Sequence, residues 1–215
     1  MKAKPLKITF DLAFPLMLNH RWIHLDGIVG HLIWHRANDP NQFDSKTPTP
    51  IDEKQFKRTI TLKNGIPCAS IGVFEEEDYR AVNYVKRPEP DLMSRGKLDI
   101  ASGYFRAWRL AGVYNPSLRV TFYAHGRKDL LEELFADLTH LGDNIRMGWG
   151  LIKQMRIEQI DHDWSITRDG VAMRPIPVEA AREYECAYPL AWKPPFWAAQ
   201  NVAMCVPPGA KVKLK

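Results

Sequence analysis

Residues 118–160 read LRVTFYAHGRKDLLEELFADLTHLGDNIRMGWGLIKQMRIEQI, and periodicity divides them into strand, helix and strand. In 118–124, apolar and polar side chains alternate around β-branched and aromatic residues, the pattern of a strand buried on one face. Over 127–141, Leu130, Leu131, Leu134, Leu138 and Leu141 recur at helical spacing and form one apolar stripe. Gly142 follows, at a position where a helix C-cap favours glycine. Residues 150–160 return to strand.

The upstream sequence repeats this order. Residues 6–14 (LKITFDLAF) predict a strand. Residues 24–37 (HLDGIVGHLIWHRA) predict a helix, with Leu25, Ile28, Val29, Leu32 and Ile33 on its apolar side. Asp26 near its start and His35 and Arg36 near its end suit the helix dipole. Gly27 and Gly30 weaken that helix, which points to something packed closely against them. Residues 38–52 have loop composition, 66–74 and 81–86 predict strands around the acidic turn 75–78, and 87–103 are irregular. Strand, helix, strands, helix, strand is the split βαβ order. The fold class expected is therefore α+β: a ferredoxin-like, RRM-like domain over 1–161, with an inserted thumb region at about 87–117. Residues 162–215 carry RPIPVE, YPLAWKPPFW and VPPG, and predict an ordered Pro/aromatic-rich extension packed on the domain, with Trp192, Phe196 and Trp197 seeking burial.

The 215 residues carry a formal net charge of +5 and are 45% hydrophobic, which suits a folded chain with an anionic partner. Cys68, Cys186 and Cys205 are dispersed and odd in number, so neither a disulfide framework nor a zinc site is expected. The N-terminus is too mixed for a signal peptide, and no apolar run reaches the ~20 residues of a membrane span. A cytoplasmic protein without membrane contact is expected. The phosphate loop GxxxxGK[ST], the dinucleotide GxGxxG and the GxSxG elbow are all missing from the sequence. No cofactor is called for.

Two features could carry chemistry. The first is 141–150, LGDNIRMGWG. Gly142, Gly148 and Gly150 permit special backbone shapes and close approach to a ligand, Arg146 offers a guanidinium to phosphate, and Trp149 offers a face to a base. The competing reading is a C-cap followed by a bulge, with Trp149 in the core. The second is the run from Arg95 to Lys128. Arg95, Lys97, Arg106, Arg109, Arg119, Arg127 and Lys128 are opposed only by Asp99 and interleaved with Tyr104, Phe105, Trp108 and Tyr114. Cations among aromatics are the physical basis of single-strand binding, although a solvated basic face with inward aromatics has the same pattern. His24, His31 and His35 share the first helix but lack the glutamate and third ligand of a metal site, so none is assigned. As an alternative, His20, His24 or His31 could serve as the general base of a metal-free ribonuclease.

The KITFDLAF strand, the HLDGIVGHLIW helix and LGDNIRMGWG before the last strand together resemble the RAMP superfamily of CRISPR proteins. With RPIPVE and PPFW they are similar, more narrowly, to the Cas five-like subunit of type IV effector complexes. The resemblance implies a ferredoxin-like fold and a non-catalytic role, capping the 5′ handle of the CRISPR RNA. It implies a seven-like backbone subunit and an eight-like large subunit as partners, with target DNA near its flanking motif close by. It carries handle contact onto Gly142, Arg146, Gly148, Trp149 and Gly150, and places the stretch from Arg95 to Arg109 in the thumb. RAMP relatives that cut repeat RNA keep the ribonuclease alternative open. A protein-interaction module without an RNA role is the second alternative.

Overall fold

The computed structural model of the chain describes residues 2–18, 20–39, 50–86, 101–102 and 106–215. Strand β1 spans Lys4–Leu12 and β2 Leu16–Leu18; helix α1 spans Leu25–Ala37 and α2 Glu53–Thr59. Then come β3 (Leu62–Lys63), β4 (Ile66–Pro67), β5 (Val73–Phe74), β6 (Arg80–Lys86), β7 (Trp108–Asn115) and β8 (Arg119–Gly126). Helix α3 (Lys128–Phe135) and β9 (Ile152–Gln159) follow. The remaining strands are short: β10 (Thr167–Arg168), β11 (Val171–Ala172), β12 (Ile176–Pro177), β13 (Ala181–Tyr184), β14 (Tyr188–Ala191), β15 (Val202–Val206) and β16 (Val212–Leu214).

The mixture is α+β. Its centre is a four-stranded sheet in the order β5-β8-β1-β9, antiparallel throughout. The strand period of two puts Leu6, Ile8, Phe10 and Leu12 on one face of β1, all buried. Ile8 lies opposite Phe122 of β8 and Ile157 of β9. That face is covered by Leu25, Val29 and Ile33 of α1, Phe56 of α2, and Leu131, Leu134 and Phe135 of α3. Phe10 meets the rings of Phe122 and Phe135 edge-on at 5.9 and 5.7 Å. Burying a side chain of this size contributes about 2 to 3 kcal/mol.

Several elements depart from the sequence expectation. The helix expected over 127–141 ends at Phe135. Beyond it the backbone is claimed by β9 instead: Ile152 N donates to Thr139 O, and Leu141 N to Gly150 O, both at 2.9 Å. Leu138 and Leu141 still reach the core, but from an irregular segment. The strand expected over 66–74 survives only at its ends. Its start pairs with β3 across an Asn64-Gly65 turn with positive φ at both residues, the usual two-residue hairpin turn. Its middle follows β8 irregularly, with His125 N donating to Cys68 O and Ser70 N to Tyr123 O. Helix α2 has no counterpart in the sequence reading; Asp52 caps it by accepting from the amides of Lys54 and Gln55.

Strands β6 and β7 form a long hairpin, from Arg80 opposite Tyr114 to Lys86 opposite Trp108. With β2 they make a second sheet in the order β2-β7-β6. The C-terminal segment builds a smaller core of Ile166, Ala172, Ile176, Val206 and Val212 against Ile66 and Cys68. Trp192 and Phe196 are half-buried, whereas Trp197, expected inside, is 55% exposed. Cys68, Cys186 and Cys205 are unpaired. Among the described residues no helix is long and apolar enough to cross a membrane.

Candidate nucleic-acid interface

The glycine-rich segment joins α3 to β9 at the end of the main sheet where β1 finishes. Four of its residues occupy the left-handed region: Gly142, Asn144, Gly148 and Gly150, at φ 75°, 56°, 85° and 67°. Two of these glycines are demanded by packing. A Cβ on Gly142 would lie 2.5 Å from Met17 O, and one on Gly150 would strike Leu141 O. Gly148 faces open space, so only its backbone conformation requires glycine. Between them a 3₁₀ turn, Ile145–Met147, points outward with all three side chains exposed.

The segment is not an open cradle of amides. Those of Asp143, Met147, Gly148 and Gly150 donate to Met17 O, Asn144 O, Ile145 O and Pro15 O. Trp149 is buried, at 7% exposure, and presents no face to a base. Its ring lies 5.1 Å from Phe14 and 5.0 Å from Tyr114, and its Nε1–H donates to the Tyr84 hydroxyl. Of the two sequence readings of this tryptophan, the core position is the one realised. Tyr84 and Tyr114 belong to β6 and β7, so Trp149 ties the glycine-rich segment to the root of the hairpin. Past Tyr84 the same hairpin face continues through Leu110 and Trp108, each 44% exposed.

The cations divide into two groups. Among the described residues Arg106, Arg109 and Arg146 are exposed and enter no ion pair. Arg109 only donates from Nε to Asn83 Oδ1, at 3.1 Å. Arg119 is instead spent on Asp11 and Glu75, at 2.6 and 2.8 Å. Arg127 bonds Asp129 at 2.5 Å and Lys128 bonds Glu132 at 3.5 Å. Arg127 and Lys128 also stand past the far end of β8, where Gly126 pairs with Lys4. That is about 25 Å from the glycine-rich segment at the usual rise per residue. The basic run of the sequence is therefore not one surface, because β8 carries its last members to the opposite end of the sheet. Arg95, Lys97, Tyr104 and Phe105 lie outside the described residues.

Residues 72–208, well over half of the chain, match the family described as CRISPR type IV associated protein Csf3. The chain belongs to the Csf3 family. The match takes in β5 to β15, and so includes the hairpin, the glycine-rich segment and most of the C-terminal part. No curated protein matches the chain.

In this Csf3-family chain His24 and His31 belong to α1 and its start, whereas His140 directly precedes the glycine-rich segment and pairs with Leu151. His24 precedes α1, stacked on Phe196 at 3.9 Å with the rings 21° apart. Burial first, then Arg174 and His20, lower its pKa to about 3, so the ring is neutral. His31 is exposed on α1 and touches His35, the ring centroids 4.2 Å apart. Among the described residues no three His, Cys, Asp or Glu side chains group as a metal site.

Sequence reasoning missed two members of this candidate surface. Phe14 ends the predicted first strand, yet is 47% exposed over Trp149. Tyr84 looks like any strand tyrosine; its role as acceptor for Trp149 depends on how the hairpin folds back.

Proposed function

We propose that this chain is the RNA-holding subunit of a type IV CRISPR effector, binding the 5′ handle of the guide and catalysing nothing. The observation that carries this reading is the exposed 145–147 turn with Arg146, locked through Trp149 to the hairpin face that bears Leu110 and exposed Trp108, with exposed Arg106 just before β7; Arg109 lies on the other face, beside Asn83. Unpaired guanidiniums beside exposed aromatic surface suit an unstacked single strand better than a duplex. Membership of the Csf3 family supplies the CRISPR context. The sheet order β5-β8-β1-β9, with α1 after β1 and α3 after β8, supports a ferredoxin-like assignment of the RAMP type. The seven-like backbone subunit and the eight-like large subunit are the proposed neighbours. Pairing within the guide handles target sequence, so this chain needs only to hold backbone and a few bases.

A ribonuclease reading would need a histidine at the RNA 2′-hydroxyl. His24 is stacked on Phe196 with its pKa pushed down to about 3, which makes it a weak base, and His31 lies on α1 beside His35 with no carboxylate bonded to it among the described residues. The test is fluorescence anisotropy of handle-containing CRISPR RNA across a salt series. Two phosphate contacts, from Arg146 and Arg106, give a slope of log K against log salt of about −1.4 on single strands. Arg146→Ala should flatten that slope by about 0.7. Salt-independent binding, or discrete cleavage of repeat RNA by the purified chain, would overturn the reading.

A further inference from the structure

Phe14 is the least expected exposed side chain in the structure. It follows the central strand directly, and nearly half of its surface is open. Its position is fixed by its neighbours. Ala13 N donates to Leu151 O at 2.7 Å, and Gly150 N donates to Pro15 O at 2.8 Å. Phe14 is thereby held alongside 150–151, with Trp149 as its support. Trp149 is itself braced by Tyr114 and Tyr84, so the ring rests on a fixed aromatic base.

The chain on either side of the supporting Trp149 is exposed, with apolar side chains and then cations. Ile145, Met147 and Leu151 are 49%, 48% and 39% exposed. Arg146 lies between the first two. Lys153 is exposed in the β-bulge where β9 slips against Asp11 and Leu12. Among the described residues neither Arg146 nor Lys153 is in an ion pair. A flat ring on a rigid base, with one unneutralised cation three residues before its supporting Trp149 and another two residues beyond Leu151, matches an unpaired nucleobase with phosphate on either side.

We propose that Phe14 is the stacking platform for one unpaired base of the bound RNA, with Arg146 and Lys153 taking the adjacent phosphates. This rests on the RNA-holding reading above, and moves the stacking role from Trp149 to a residue outside the glycine-rich segment. Loss of a stacking face lowers affinity without changing how many counterions are released.

The experiment compares the full-length wild type with Phe14→Leu, which keeps apolar bulk but has no face, and Phe14→Trp, which keeps the face. Each is titrated with handle-containing RNA over a salt series, and thermal melting checks that the variants fold. Phe14→Leu should bind on the order of tenfold more weakly with an unaltered salt slope, and Phe14→Trp should bind at least as well as wild type. Wild-type binding with the expected slope, but equal affinity in all three proteins, overturns the stacking proposal and leaves RNA holding intact. Phe14→Leu that binds RNA normally but no longer co-purifies with the effector subunits makes the patch a protein contact and overturns it too. Wild type that binds no RNA removes both readings together.

Discussion

Gly150 and Gly148 have the same backbone sign and different reasons for it. At Gly150 a methyl group would collide with Leu141 O, on the residue whose N–H donates to Gly150 O. At Gly148 a methyl group meets nothing, and the only penalty is the left-handed conformation. Gly148→Ala should therefore cost about 1 to 2 kcal/mol in urea denaturation, whereas Gly150→Ala should cost more and displace Trp149. The displacement would be read as a change in near-ultraviolet circular dichroism. Equal costs at the two sites would mean that the packing at Gly150 is softer than the structure has it. At this scale the sequence was legible in part: three glycines announced an unusual backbone, but nothing local distinguished the two that are packed from the one that is open.

At the scale of elements, the N-terminal end of α1 and the PPFW segment explain each other. A Cβ on Gly27 would approach the Phe196 ring to 3.3 Å, and one on Gly30 would come within 2.8 Å of Ile51 and 3.6 Å of Pro194. The helix gives up propensity at Gly27 and Gly30 so that the C-terminal segment can seat against it. His24 lies in this contact and is neutral there. Its folded pKa, about 3, is below its unfolded value, so unfolding takes up a proton between about pH 3 and 6.5. Stability should then fall as the pH drops below 6.5, by about 1.4 kcal/mol per pH unit from this group. Asp26 acts in the opposite sense, since burial raises its pKa and Arg174 only partly offsets that. The informative quantity is therefore the difference between wild type and His24→Gln, measured by denaturation from pH 7 to 5. Stability of the variant relative to wild type should improve steadily over that range. Phe196→Ala should raise the His24 pKa in an NMR titration by admitting water. A titration at the ordinary histidine pKa in the wild type would refute this account of the contact.

The whole molecule is joined at Arg174. This side chain is fully buried, with its guanidinium 3.1 Å from Asp26 at the start of α1. It also donates to Pro67 O at 2.5 Å, to Ala69 O at 2.9 Å and to Trp192 O. One residue thus binds the main-sheet helix, the segment after β4 and the C-terminal extension, linking the two hydrophobic cores. Arg174→Ala leaves Asp26 buried and unpaired, and should cost about 3 to 5 kcal/mol. The double variant Arg174→Met with Asp26→Asn should recover part of that loss, because it removes the stranded charge. Additive losses in the double-mutant cycle would show that the carboxylate does not depend on the guanidinium.

By itself the sequence determined the two strand-helix pairs of the main sheet, the glycine-rich connection into β9, and the close contact at Gly27 and Gly30. These are local properties: apolar periodicity and missing side chains are written in consecutive residues. Helix α3 stopped short, and β4 to β5 broke up, because backbone groups there found partners on distant strands. Trp149 could have faced either way, and only the return of the β6–β7 hairpin, which brings Tyr84 and Tyr114 over it, decided that it is inside and Phe14 outside. No local pattern marks Arg174 for burial; its partner Asp26, 148 residues away in sequence, meets it only in the fold. Burial and pairing of this kind depend on contacts between distant residues, and those exist only once the chain has folded.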